Sequence, residues 1–153
     1  MAQGAYDDAM REALQEAALA IADGDVPVGA VVLDPTGAIV GRGHNRREAA
    51  HDPTAHAEIV AMRDAAARRG TWRLDGHTLV VTLEPCAMCA GAVLQARIPR
   101  LVFGAWDEKA GAVGSRWDLV RDARAGASVE VIAGVLEAAC AAPLTAFFRH
   151  RRD

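Results

Sequence analysis

The sequence predicts an α/β layer fold on a mixed sheet, and three observations predict it. Apolar residues recur at helical spacing near the start of the chain. Two apolar runs around an Asp-Pro-Thr-Gly turn then make a hairpin. After the hairpin, helical and β-branched segments alternate, the order that lays helices on a sheet.

The elements follow in order. Met10, Leu14, Ala17 and Ile21 predict a helix from about Tyr6 to Asp23, stopped by Gly24. Val28 to Leu33 is a compact apolar strand, Asp34-Pro35-Thr36-Gly37 a turn, and Ala38 to Gly43 the second strand. Asn45 to Ala55 reads as a polar loop containing Asp52-Pro53-Thr54. His56 to Arg69 is helical and ends at Gly70. A β-branched strand spans His77 to Thr82, a helix Ala87 to Ala96, and a short strand Leu101 to Gly104. Val129 to Ile132 makes the last strand, and a final helix runs from about Val135 toward Phe148.

At 153 residues the chain is expected to form a single domain over 1–153. Hydrophobic content of 52% with 24% charged residues is globular composition, which excludes disorder. The first residues have neither the basic start nor the apolar core of a signal peptide. The alanine-rich stretch near the C-terminus is broken by Glu130, Gly134, Glu137 and Pro143, so no membrane span is expected. A net charge of −3 excludes a polyanion binder held by bulk charge; nucleic acid must be met by local clusters.

Two segments about thirty residues apart carry the chemistry: His56-Ala57-Glu58 and Pro85-Cys86-Ala87-Met88-Cys89. One imidazole and two thiolates are donors that zinc prefers, and three protein ligands leave a fourth tetrahedral position open, as in a catalytic site. Both segments fall at predicted helix starts. Cys86 and Cys89, three apart, share one face of a first turn, and His56 and Glu58 can both reach an ion just beyond the helix end. His56 is then a ligand and Glu58 a non-ligating partner. Two helix N-termini aimed at one point favour the thiolate forms.

Other readings stay open. A zinc ribbon would need a second cysteine pair, which the sequence lacks. Cys140, His51 or His77 could close the site as a fourth ligand, although Cys140 reads as a buried apolar filler. His44, His77 and His150 default to surface or capping roles. The Cys86/Cys89 pair among only three cysteines points to a reducing, cytoplasmic setting.

The H-x-E…P-C-x-x-C spacing resembles the signature of zinc-dependent nucleobase deaminases. The words around it resemble one branch, the bacterial tRNA-specific adenosine deaminases of the cytidine deaminase-like superfamily. They are Val26-Pro27-Val28-Gly29-Ala30, Asp52-Pro53-Thr54-Ala55-His56-Ala57-Glu58, Thr82 to Ala92, Val102-Phe103-Gly104-Ala105-Trp106-Asp107, Gly111 to Ser115 and Phe147-Phe148-Arg149. The resemblance covers nearly the whole chain.

It implies a three-layer α/β/α sandwich on a mixed five-stranded sheet, a homodimer, and one Zn²⁺ per subunit held by His56, Cys86 and Cys89. The implied activity is hydrolytic conversion of adenosine to inosine at the wobble position of a tRNA anticodon. Water activated by zinc would attack C6, with Glu58 shuttling protons to N1 and then to the leaving amine. The resemblance further implies that Asn45 bonds the inserted nucleoside and that Asp107 lies beside the anticodon. Val28 and Ala57 are small enough to let a purine approach. Phe147, Phe148 and Arg149, with Arg151 and Arg152, offer rings and cations to an anticodon stem-loop, or else close the core and sit in water. No DNA or membrane partner is expected.

Two rivals remain: a deaminase of a free base or nucleoside such as guanine or cytosine, and a non-catalytic zinc scaffold. Two departures from the family pattern bear on geometry. Arg47 replaces a common proline, and Pro143 is expected to interrupt the final helix, with the tail starting afresh there.

Overall fold

The hairpin closes as its turn chemistry dictates. In the computed structural model, which describes residues 4–122, 124, 126 and 128–152 (Arg152 by its backbone alone), Asp34 Oδ1 accepts hydrogen bonds from Thr36 N, Thr36 Oγ and Ala38 N at 2.6–3.1 Å. The turn joins strand β1 (Gly29–Leu33) to β2 (Ile39–His44). Before the hairpin lies helix α1 (Asp7–Ala22); after it come α2 (Ala57–Arg69), β3 (Thr78–Leu83), α3 (Ala87–Gln95), β4 (Arg100–Ala105), β5 (Glu130–Ile132) and α4 (Glu137–Arg152).

The five strands form one mixed sheet in the order β2-β1-β3-β4-β5. β1 pairs antiparallel with β2 and β3, while β3, β4 and β5 run parallel. The centre is β-branched and dry: Val31, Val32, Val80, Val81 and Val102 have no measurable exposure. Continuous apolar runs of this kind are what strands covered on both faces require.

Helices α1 and α4 cover one face. His44 and Arg42 of β2 reach Glu16 and Glu12 of α1, and Arg151 of α4 donates to the Gly24 carbonyl just past α1. On the other face α2 lies so close to β2 that a Cβ on Gly43 would sit 2.5 Å from Ala61 N and 2.6 Å from Ala57 O. Neighbouring α3 shares an apolar groove with α2. Helix, sheet and helix make three layers, as the family resemblance implied.

Three details differ from the sequence expectation. The buried stripe of α1 is Met10, Ala13, Ala17 and Ala20, with Ile21 exposed. The reason is distance: a Cβ on Gly29 would meet Ala13 O at 1.9 Å, so the helix seats on the sheet through its alanines. His77, expected in a surface or capping role, is buried, its Nδ1 2.8 Å from the backbone Asp75 O.

Pro143 does not end the last helix, which continues through it to Arg152. Proline denies Ala139 O its usual partner and costs about 3 kcal/mol inside a helix. Burial of Cys140 and Leu144 on either side holds the helix together, since tertiary packing supplies most helical stability. Cys140 serves as the filler expected of it: a Cβ on Gly104 would meet its sulfur at 2.3 Å, and burial pushes its thiol up to about 11.

Candidate active site

Two helix starts meet at the carboxyl end of β3. His56 is the N-cap of α2 and Cys86 the N-cap of α3, both in extended conformation, and neither side chain caps its own helix. The approach to His56 is set by a local turn. Asp52 Oδ1 accepts from Thr54 N and Thr54 Oγ, and His56 N donates to Thr54 O. The approach to Cys86 is the end of β3, where Pro85 O accepts from Ala112 N.

The imidazole Nδ1 of His56 lies 3.6 Å from Cys86 Sγ and 3.5 Å from Cys89 Sγ. A tetrahedral zinc with bonds of about 2.3 Å to sulfur and about 2.0 Å to nitrogen sets its donors about 3.6 Å apart, so these residues fit that ion. Their donor atoms all lie within 4.8 Å of one another, and among the described residues they form the one such group. His51 is exposed, His77 is bonded to Asp75 O, and Cys140 is seated on Gly104, so the fourth donors considered from sequence do not join it.

The electrostatics suit a cation. A hydrogen bond from Cys89, helped by His56, holds the Cys86 thiol down at about 3. Cys89 is pushed up by sharing that bond and by burial, and His56 is raised chiefly by Cys86. Protons are thus shared around the triangle, and a divalent ion displaces them on binding. Neutral imidazole, two thiolates and Zn²⁺ sum to zero.

Glu58, on the first turn of α2, is 4% exposed. Burial pushes its carboxyl up to about 7, opposed by its own backbone N–H and by His56. A carboxyl near neutrality can take and return a proton, the property a general acid–base group needs.

The pocket around these groups has a volume of about 160 Å³, roughly five waters and the scale of one nucleobase. The structure brings Val28, Asn45, Ala57 and Asp107 to this pocket together with His56, Glu58 and Cys86. Asn45 is held in place: Nδ2 donates to Val26 O and Oδ1 accepts from Arg47 N. Each end retains one further hydrogen-bonding position for a ligand.

Phe147, Phe148 and Arg149 lie elsewhere, on α4. Phe147 lines a groove with Ile21 and Pro143, under the Arg151 guanidinium 4.9 Å from its ring, while Phe148 and Arg149 are exposed beside Leu144. Arg151 anchors α4 through Gly24 O at 2.7 Å. The Arg152 side chain lies outside the described residues.

Two buried carboxylates were not singled out from sequence. Asp25, 1% exposed, accepts from Glu48 N and Ala49 N and so pins the loop that follows Asn45. Glu84, 2% exposed, accepts from the loop that carries Asp107. The signal for Glu84 was an acid placed directly after a β-branched strand.

Residues 4–105 match the family described as the cytidine and deoxycytidylate deaminase zinc-binding region. The chain is 50% identical to the tRNA-specific adenosine deaminase of Haemophilus influenzae, over 94% of this chain and 83% of that protein. A solved structure from work on A-to-I editing by tRNA:A34 deaminases at the wobble position superposes with a TM-score of 0.86 at 42% identity, covering 90% of this chain and 99% of the other. The guanine deaminase of Nitrosomonas europaea superposes at 0.80 with 29% identity, over 94% of this chain and 84% of that one. By fold, donor set and sequence, the chain belongs to the zinc-binding cytidine and deoxycytidylate deaminase family, among its tRNA-specific adenosine deaminases.

Proposed function

We propose that the protein hydrolyses adenosine to inosine at the wobble position of a tRNA anticodon. The observation that carries the chemistry is a buried Glu58 beside a three-donor metal triangle in a one-base pocket. The choice of substrate is supported by relatives that match nearly the whole chain. When bound by His56, Cys86 and Cys89, zinc supplies the Lewis acidity that makes water nucleophilic near neutral pH.

The residues do the rest. Asn45 orients the base from the pocket wall, and small Val28 and Ala57 admit the purine ring. Glu58 takes a proton from the attacking water and delivers it to N1; it then takes the proton of the new C6 hydroxyl and passes it to the amine, which leaves as ammonia while the C6 carbonyl of inosine forms. Asp107 sits beside the anticodon, whose bases are already unpaired and so leave their stack at low cost. Exposed Phe148 and Arg149 offer a ring and a cation to the stem-loop, with Phe147 supporting them from below. An apolar groove lined by Ile59, Met62, Trp72, Leu74 and Ala92 supports a homodimer, and the metal-binding thiols suit a reducing cytoplasm.

The test is to incubate the protein with an anticodon stem-loop bearing a wobble adenosine, sequence the product for inosine, and assay guanine, cytosine and adenosine for ammonia in parallel. Inosine in the loop supports the proposal. Ammonia from guanine with an unedited loop replaces it by the reading that the Nitrosomonas structure favours. Arg149→Ala should lower the slope of log affinity against log salt by about 0.7–0.9 if that guanidinium meets a phosphate.

A further inference from the structure

We propose that Glu84 is a positioning residue, whose carboxylate holds the 107–115 loop in the shape that receives the substrate. This rests on the deaminase reading above. Glu84 follows β3 directly and is anchored there, its N–H donating to Ala105 O at 2.8 Å. Both of its oxygens are used twice. Oε1 accepts from Asp107 N at 3.0 Å and from the Ser115 hydroxyl, and Oε2 accepts from Val113 N and Ser115 N, each at 3.0 Å.

A buried charge needs partners, and this one finds all of them in a single loop. No named strand or helix includes the loop; it is tied to the Glu84-Pro85-Cys86 stretch also by Ala112 N to Pro85 O and a bridge between Gly111 and Cys86. To the residues after it, it is tied by Arg116 N and Trp117 N to Gly111 O, Gly114 N to Trp117 O, Leu119 N to Ala112 O, Arg121 Nη2 to Val113 O and a bridge between Val113 and Asp118. The stretch Glu84-Pro85-Cys86 therefore both supplies a metal ligand and moulds the loop that brings Asp107 and Ala110 to the pocket.

The cradle is shaped for a carboxylate. A Cβ at Gly111 would lie 2.3 Å from Glu84 Cδ and Oε1, so only glycine lets the loop close over it. A side chain serving as mere filler would be apolar in so dry a place. Four acceptor positions matched to four donors make the loop shape specific.

The experiment compares wild type, Glu84→Gln and the milder Ser115→Ala as zinc-loaded proteins on the anticodon stem-loop. It records KM, kcat, zinc content and amide hydrogen exchange across residues 107–115. The amide group of Gln sets a donor against backbone N–H groups. Expected for Glu84→Gln are full zinc content, faster exchange in the loop and a KM higher by about tenfold or more, with kcat falling by a smaller factor. Ser115→Ala should shift both in the same direction by less.

Unchanged KM with only a lower Tm would overturn the proposal, as would loss of zinc as the sole effect. If Glu84→Gln does not fold, Ser115→Ala decides, and an unchanged KM there is equally fatal. Should wild type leave the stem-loop unedited, it is the deaminase reading that fails. The exchange measurement then decides the present one, and unchanged loop protection in Glu84→Gln refutes it.

Discussion

Replacing Glu58 with Gln separates what this carboxylate costs the fold from what it does in catalysis. Burial moves it from an ordinary 4.5 to about 7. A carboxyl whose pKa is higher in the folded state binds its proton more tightly there. Its contribution to the metal-free protein is therefore complete below about pH 4.5 and is lost as pH rises through 7. A difference of about 2.5 in pKa, at about 1.4 kcal/mol each, is about 3 kcal/mol, of which about 2–3 kcal/mol falls between pH 5 and pH 8. Gln cannot ionise.

Denaturant titrations of chelator-treated wild type and Glu58→Gln at those two pH values measure the effect. The stability difference should move in favour of Gln by about 2–3 kcal/mol on going to pH 8. Packing or hydrogen-bonding changes that do not depend on pH cancel between the two conditions. Equal differences at pH 5 and pH 8 would refute the buried ionisation cost. With zinc restored, the ion's charge favours the carboxylate and the pH dependence should shrink. Turnover should meanwhile fall by a factor on the order of 10²–10⁴ while zinc stays bound.

Cys86→Ala should remove the metal, seen by elemental analysis as loss of zinc, and lower stability, because a site that forms only in the folded chain couples binding to folding. Gly43→Ala drives a methyl into the backbone of α2; about 1–3 kcal/mol of stability should be lost, and turnover should fall as His56 and Glu58 are displaced with the helix. A normal melting temperature would show that α2 can lift off the sheet freely. Pro143→Ala restores an N–H to Ala139 O inside α4 and should raise stability by about 1–3 kcal/mol in a thermal melt; a loss would mean that the helix depends on its proline bend.

Most of the architecture is legible from periodicity and punctuation. The hairpin, both helices that present the metal ligands, and the strands between them lie within a few residues of where the sequence places them, because each is bounded by a glycine, a proline or an Asx turn. The zinc triangle is legible for a chemical reason: histidine and paired cysteines at helix starts have few other uses together. What escapes a linear reading is set by distance between elements. The alanine stripe of α1 depends on Gly29 lying against it, and the course of α4 through Pro143 depends on the burial of Cys140 and Leu144. Asp25 and Glu84 escape for the same reason. Apart from the Ser115 hydroxyl on Glu84, their partners are backbone amides 23–31 residues away, and amides leave no mark on residue type.

The two helices that frame the site begin with residues that are poor at starting helices. Serine, aspartate or asparagine in place of His56 or Cys86 would satisfy a free amide of the first turn, a gain of about 1 kcal/mol. Selection for folding alone would drift toward those residues, and each such step would dismantle the metal triangle. The histidine and cysteine at these two junctions thus record a demand that comes from outside the fold, and the first-turn amides of both helices point their positive ends at the place where the ion and its substrate belong.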